Sequence, residues 1–181
     1  FNHPVALAGY AHAIGEVVSQ LAGAIHIGRV ARHEGQNAVC CRNLAAFDAF
    51  DPENPTASRF VDEDLNRLWD PAVLEGTRQS LELVRAREIY PAVAAADVVL
   101  DLHSMLWPSD PLILCGATPR GRTLAVAIGS PGLVVADRGH SSGPRLIDHP
   151  RFASETDQAR ALLVEAGQHW EPSTIDMAAA S

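Results

Sequence analysis

Short apolar runs beside turn residues, rather than strict apolar–polar alternation, mark the strands expected in this chain. They fall at residues 5–9, 98–102, 112–115, 133–136 and 162–164. Runs of that kind suit a sheet buried on both faces. Helical signals lie between them. The clearest spans 71–87, with Asp70 as N-cap, Pro71 in the first turn and Leu74, Leu81, Val84 and Ile89 as an approximate apolar face. A second covers 121–128 and stops at Gly129-Ser-Pro131. Strands alternating with helices predict an α/β fold with a mainly parallel, mixed sheet flanked by helices. Residues 43–70 hold Pro52, Pro55 and many Asp and Asn but few periodic apolar positions, which predicts a long loop. Residues 172–181 end in small side chains without a turn or strand signal and are expected to fray.

Composition narrows the class. At 181 residues the chain is one domain, or a domain and part of another, and its 47% hydrophobic and 20% charged content is ordinary for a globular protein. No apolar run reaches the roughly 18 residues of a membrane helix. No signal peptide is visible, and a start at Phe1 suits a fragment of a longer product. A net charge of −8 argues against nucleic acid as a partner. All 14 basic residues are arginine, which excludes a Schiff-base or P-loop lysine. Cys40, Cys41 and Cys115 make neither a disulfide framework nor a Cys-x-x-Cys zinc site, so a reducing cytoplasm is expected.

The candidate chemistry begins inside the predicted loop. Arg59-Phe-Val-Asp-Glu-Asp-Leu-Asn-Arg67 packs two arginines, an asparagine and three carboxylates into nine residues. Burying such charge unpaired costs several kcal/mol, on the order of a whole interaction network. The stretch therefore reads as an anchored loop that offers guanidinium and amide groups to an anion. His103 follows the run 97–102, and the carboxyl end of a parallel strand opens onto the crevice where α/β folds bind ligands. Asp101, two residues earlier on the same strand face, is placed to orient its imidazole. Glu165 follows a second apolar run and suits general-base work, and Gly167 leaves room for a close backbone approach. His140 sits in a Gly/Ser loop and reads as solvated. Trp107 and Pro108 are expected to wall the cleft, and Arg145 and Arg151 are candidates for a further substrate contact.

Asn54-Pro-x-Ala57, the arginine motif, Asp101-Leu-His103 and Val164-Glu165-Ala-Gly167-Gln-His169 resemble, in order and approximate spacing, the succinylglutamate desuccinylase/aspartoacylase family. These are zinc hydrolases of the carboxypeptidase-like α/β fold. The resemblance implies residues 1–171 as the catalytic domain and 172–181 as a tail that precedes a second, β-rich domain in many members. It implies one zinc ion with His103 as its third ligand, and Arg59 polarising the scissile carbonyl. Asn66 and Arg67 would clamp the substrate carboxylate, where a guanidinium binds bidentately. Glu165 would be the base that deprotonates zinc-bound water and then protonates the leaving amine. Asp62 and Asp64 are expected to hold the arginines in place.

The amino end departs from that pattern. The family takes its first two ligands from a His-x-x-Glu spacing after the first strand, and no such spacing occurs here. The nearest pair, His12 and Glu16, carries one extra residue, although positions i and i+4 of a helix still share a face. Three explanations stay open: the site tolerates the spacing, the segment is divergent, or the metal site is lost. The expected function is hydrolysis of the amide of an N-acyl amino acid or a similar small carboxylate, with that small molecule as partner. The alternatives are a zinc carboxypeptidase acting on peptides and an inactive carboxylate-binding module. The oligomeric state stays open, a homo-oligomer included.

Overall fold

This computed structural model describes residues 30–33, 36–39, 60–168 and 171–181. The strand expected at 5–9, together with His12, Glu16, Cys40, Cys41, Arg59 and His169, lies outside the described residues. An antiparallel pair, β1 (Val30–His33) and β2 (Gln36–Val39), forms a two-stranded sheet of its own. The main sheet has β3 (Val98–Met105), β4 (Leu112–Leu114), β5 (Val134–Val135) and β6 (Arg160–Gln168), in the order β3-β6-β4-β5. All four expected strands in this region form.

The sheet is mixed, as expected, and two of its three pairings are parallel. β3 with β6 and β4 with β5 are parallel, but β4 runs antiparallel to β6. Residues 106–111 join β3 to β4, and a parallel crossover needs a dozen residues or more. The chain therefore doubles back, and β6 later fills the gap between the two strands.

The helices depart from the expectation at 71–87. α1 (Pro71–Leu74) is a single turn capped by Asp70, and α2 (Leu81–Ala95) starts afresh after Ser80 caps its first turn. The Arg87 guanidinium donates to the carbonyls of Val73, Leu74, Gly76 and Arg78, which satisfies the end of α1 and stabilises the break. α2 then runs on through Pro91, a residue that ordinarily signals a helix end. α3 (Pro119–Ile128) is capped by Thr118 and closed by Gly129 in the left-handed conformation.

The tail expected to fray is instead α5 (Pro172–Ala180), after the single turn α4 (Pro150–Ala153). Its alanines are strong helix formers, and Met177 and Ala178 pack on the core. Gly167 lets it dock: with φ of 126°, a Cβ there would sit 2.7 Å from the Thr174 hydroxyl, which donates to the Gln168 carbonyl. The close approach expected at Gly167 is met by Thr174.

Apolar residues cover both faces of the sheet, as runs rather than alternation imply. Ala161 and Leu163 of β6 face α2 with Leu83, Ala86 and Trp69, whereas Leu162, Val164 and Ala166 face α3 and α5. On the α2 side the apolar residues give way, further along the strands, to Asp101, His103 and Glu165. The candidate chemistry occupies the continuation of that face.

Candidate active site

His103 and Glu165 lie directly opposite each other in the β3–β6 ladder. Just past them two residues of β6, Ala166 and Gly167, oppose Ser104 alone, a bulge that re-aims side chains at the strand ends. Neither residue terminates its strand as the sequence suggested; both sit a few positions inside it. The Asp101 carboxylate lies 3.0 Å from His103 Nε2. A carboxylate oxygen is only an acceptor, so Nε2 carries the proton. Burial pulls the His103 pKa down, but the Asp101, Glu165 and Asp64 carboxylates outweigh it and set the pKa above the ordinary value.

The arginine motif packs beside this group, and its anchor is a residue that the sequence reading missed. Glu82 is fully buried at the start of α2 and accepts the amides of Val61, Asp62 and Glu63 at 2.6, 3.2 and 3.2 Å. Asp62 answers by accepting the Leu81 amide at 2.7 Å. Loop and helix N-terminus thus cap each other. Asp62 was expected to hold an arginine; among the described residues it caps a helix, because the unbonded amides of the first turn attract an anion. The signal was a serine followed two residues later by a glutamate, an N-terminal cap with acid in the first turn.

Asp64 then accepts the Asn66 amide at 3.0 Å and opens a turn of 3-10 helix, Leu65–Arg67. It also stands 3.8 Å from the Arg67 guanidinium, the bracing role expected of it. The turn buries Asn66 and leaves Arg67 partly exposed. The Asn66 side chain accepts from the Leu146 amide at 2.7 Å and donates to Asp101 at 3.4 Å. Arg67 donates to its neighbour's carbonyl at 2.6 Å and to the Ser142 hydroxyl at 3.1 Å, and 22% of its side chain stays exposed. His140 is exposed and holds Ser142 at 2.9 Å, so the Gly/Ser loop braces Arg67.

Two further expectations fail. Arg145 is buried between Asp137 and Asp148, at 2.7 and 2.8 Å, and all three of its guanidinium nitrogens donate to them. Arg151 holds the Ala96 carbonyl. Arg145 is structural, because a buried guanidinium is stable only with its charge and hydrogen bonds satisfied; Arg151, half-buried, is turned to the backbone. Trp107 is 72% exposed beyond the end of β3. A separate hollow of about 170 Å³ near Cys115, Thr118 and Phe152 opens at the opposite end of the sheet. Its acids, Asp137 and Asp148, serve Arg145. Cys115 is a buried free thiol whose pKa burial pushes up.

No family model matches the chain, and no curated protein does. The fold is similar to that of a solved enzyme. The crystal structure of succinylglutamate desuccinylase/aspartoacylase from Rhodobacter sphaeroides superposes with a TM-score of 0.54 at 18% identity, over 76% of this chain and 39% of that one. The chain thus spans about two fifths of the length of that protein. At such identity the likeness concerns the fold, and chemistry has to be argued from the site. No helix among the described residues is long and apolar enough to cross a membrane.

The described residues fit one part of a metal centre. A metal-binding imidazole ordinarily donates its second ring N–H to a carboxylate, and His103 donates Nε2–H to Asp101. Its Nδ1 is then the nitrogen with the lone pair that a ligand needs. Among the described residues no three His, Cys, Asp or Glu side chains cluster closely enough to hold an ion. The partners expected of His103, His12 and Glu16, lie outside them.

Proposed function

We propose that this protein is a zinc-dependent hydrolase that cleaves the amide bond of an N-acyl amino acid or a similar small carboxylate. The observation that carries the reading is the pairing of His103, oriented by Asp101, with Glu165 opposite it on the adjacent strand and the Arg67 turn packed alongside. Similarity in fold to a protein described as a succinylglutamate desuccinylase/aspartoacylase supports it.

Zinc, held by His103 with His12 and Glu16, would lower the pKa of a water towards about 7 and polarise the scissile carbonyl. The residues of the chain divide the remaining work. Glu165 takes the proton of the attacking water and returns it to the leaving amine. Arg67, braced by Ser142 and Asp64, binds the substrate carboxylate. Arg59, two residues ahead of the backbone that Glu82 grips, stabilises the developing oxyanion.

The test is amide hydrolysis of a panel of N-acyl amino acids, N-succinylglutamate among them, with zinc added and with chelator. Activity should need the metal, and Glu165→Ala should lower kcat by 10² or more at unchanged fold. Full activity in metal-free protein, or in the Glu165 variant, refutes the mechanism.

A further inference from the structure

Asn66 was expected to share the substrate carboxylate with Arg67, but its geometry points elsewhere. Its side chain is buried, with 9% of the residue exposed. The Leu146 amide can only donate, so the oxygen Oδ1 must face it, and the 2.7 Å contact fixes the amide plane. Nδ2 is thereby turned to the opposite side, where Asp101 Oδ2 lies at 3.4 Å and His103 Nε2 at 3.3 Å. Nε2 is protonated, so the acceptor for Nδ2 is the Asp101 carboxylate. One oxygen of Asp101 thus receives both His103 and Asn66. On the other side, Leu146 belongs to the 3-10 turn Leu146–Asp148, which is held by the Arg145 ion pairs with Asp137 and Asp148.

We propose that Asn66 is a positioning residue of the metal-holding half of the site and not a substrate ligand. It fixes Asp101, and Asp101 sets the tautomer and ring orientation of His103. The inference rests on the zinc reading above. In this arrangement Arg67 is the member of the Asn66-Arg67 pair that meets substrate, since part of its side chain stays exposed while the amide beside it is spent on the protein. Hydrogen-bond partners behind metal ligands ordinarily govern metal affinity by 10- to 100-fold.

The experiment is zinc binding to the full 181-residue chain, by competition with a chromophoric chelator, in wild type, Asn66→Ala, Asp101→Ala and the double variant. Asn66→Ala should weaken zinc by about 10-fold or more while leaving KM for the N-acyl amino acid panel within about twofold. In the Asp101→Ala background the same change should cost almost nothing, because the relay is already broken. Unchanged zinc affinity with a raised KM makes Asn66 a substrate clamp and overturns the inference. Wild type that takes up no zinc overturns the function proposed above together with this inference, a different outcome from a variant that binds as well as wild type. If Asn66→Ala loses the wild-type circular dichroism, Asn66→Asp replaces it, since a carboxylate keeps an acceptor for the Leu146 amide. Its added charge alone would tighten zinc binding, so weaker binding reports lost orientation and tighter binding refutes it.

Discussion

Replacing Glu82 with alanine should loosen the loop that carries the arginine motif without unfolding the protein. Glu82 is wholly buried, and its carboxylate accepts three backbone amides, from Val61, Asp62 and Glu63. Hydrogen bonds to a charged group contribute about 1.5–3 kcal/mol each, which sets a ceiling of several kcal/mol for the three. The released amides recover part of that from water, because the segment lies at the surface and Val61 is 50% exposed. A loss of about 3 kcal/mol remains, about 1 per bond. That is below the roughly 5–15 kcal/mol of a typical domain, so the fold survives. A chain of this size should lose about 6–12 °C in Tm. Urea titration followed by the fluorescence of buried Trp69 measures the change. Hydrogen exchange at Val61, Asp62 and Glu63 locates it, and Glu82→Gln, which keeps one carbonyl acceptor, should recover part of the loss. A change under about 0.5 kcal/mol, or undiminished protection of those three amides, would show that Glu82 does not anchor the loop.

Gly143→Ala should cost about 1–3 kcal/mol and disturb the Arg67 turn. Gly143 has φ of 140°, and a Cβ there would stand 2.5 Å from the Arg67 carbonyl oxygen; wild-type stability in the variant would contradict that packing. Stability should also fall on acidification through His149, a buried imidazole that accepts the Arg151 amide and packs against Tyr90 and Phe152. Burial and the Arg151 charge hold its pKa below the ordinary value of about 6.5, against the pull of Asp70. The unfolded chain therefore takes the proton first, so the contribution is complete above about 6.5 and is lost as the pH falls through the lowered folded value. His149→Asn keeps a helix cap without the titration, and urea midpoints from pH 7.5 to 5 should decline less in it; equal slopes in both proteins would refute the assignment. Asp137, held below the usual carboxylate range by hydrogen bonding to Arg145, adds a loss of the same sign at lower pH.

Apolar runs and caps marked the strands at 98–102, 112–115, 133–136 and 162–164, the start of α1 at Asp70 and Pro71, and the end of α3 at Gly129. These signals are local: strand burial, helix capping and a left-handed glycine each depend on a few neighbouring residues. The break between α1 and α2 was hidden because the carbonyls it exposes are satisfied by Arg87, a full helix turn and more into the next element. The helix at 172–180 was hidden because its docking at Gly167, which adds to the helix propensity of its alanines, is a tertiary contact.

The sequence by itself determined that the chain is an α/β protein, and it singled out His103, Glu165, Asn66 and Arg67 as the residues to examine. Only the tertiary structure decided what each one faces. β6 slots between β3 and β4, and that insertion sets His103 against Glu165. Glu82 reaches amides about 20 residues away, and Asn66 meets an amide 80 residues away. Such partners are joined by the path of the chain through space. No local pattern of hydrophobicity or charge encodes a hydrogen bond whose two ends are brought together only after the sheet has formed.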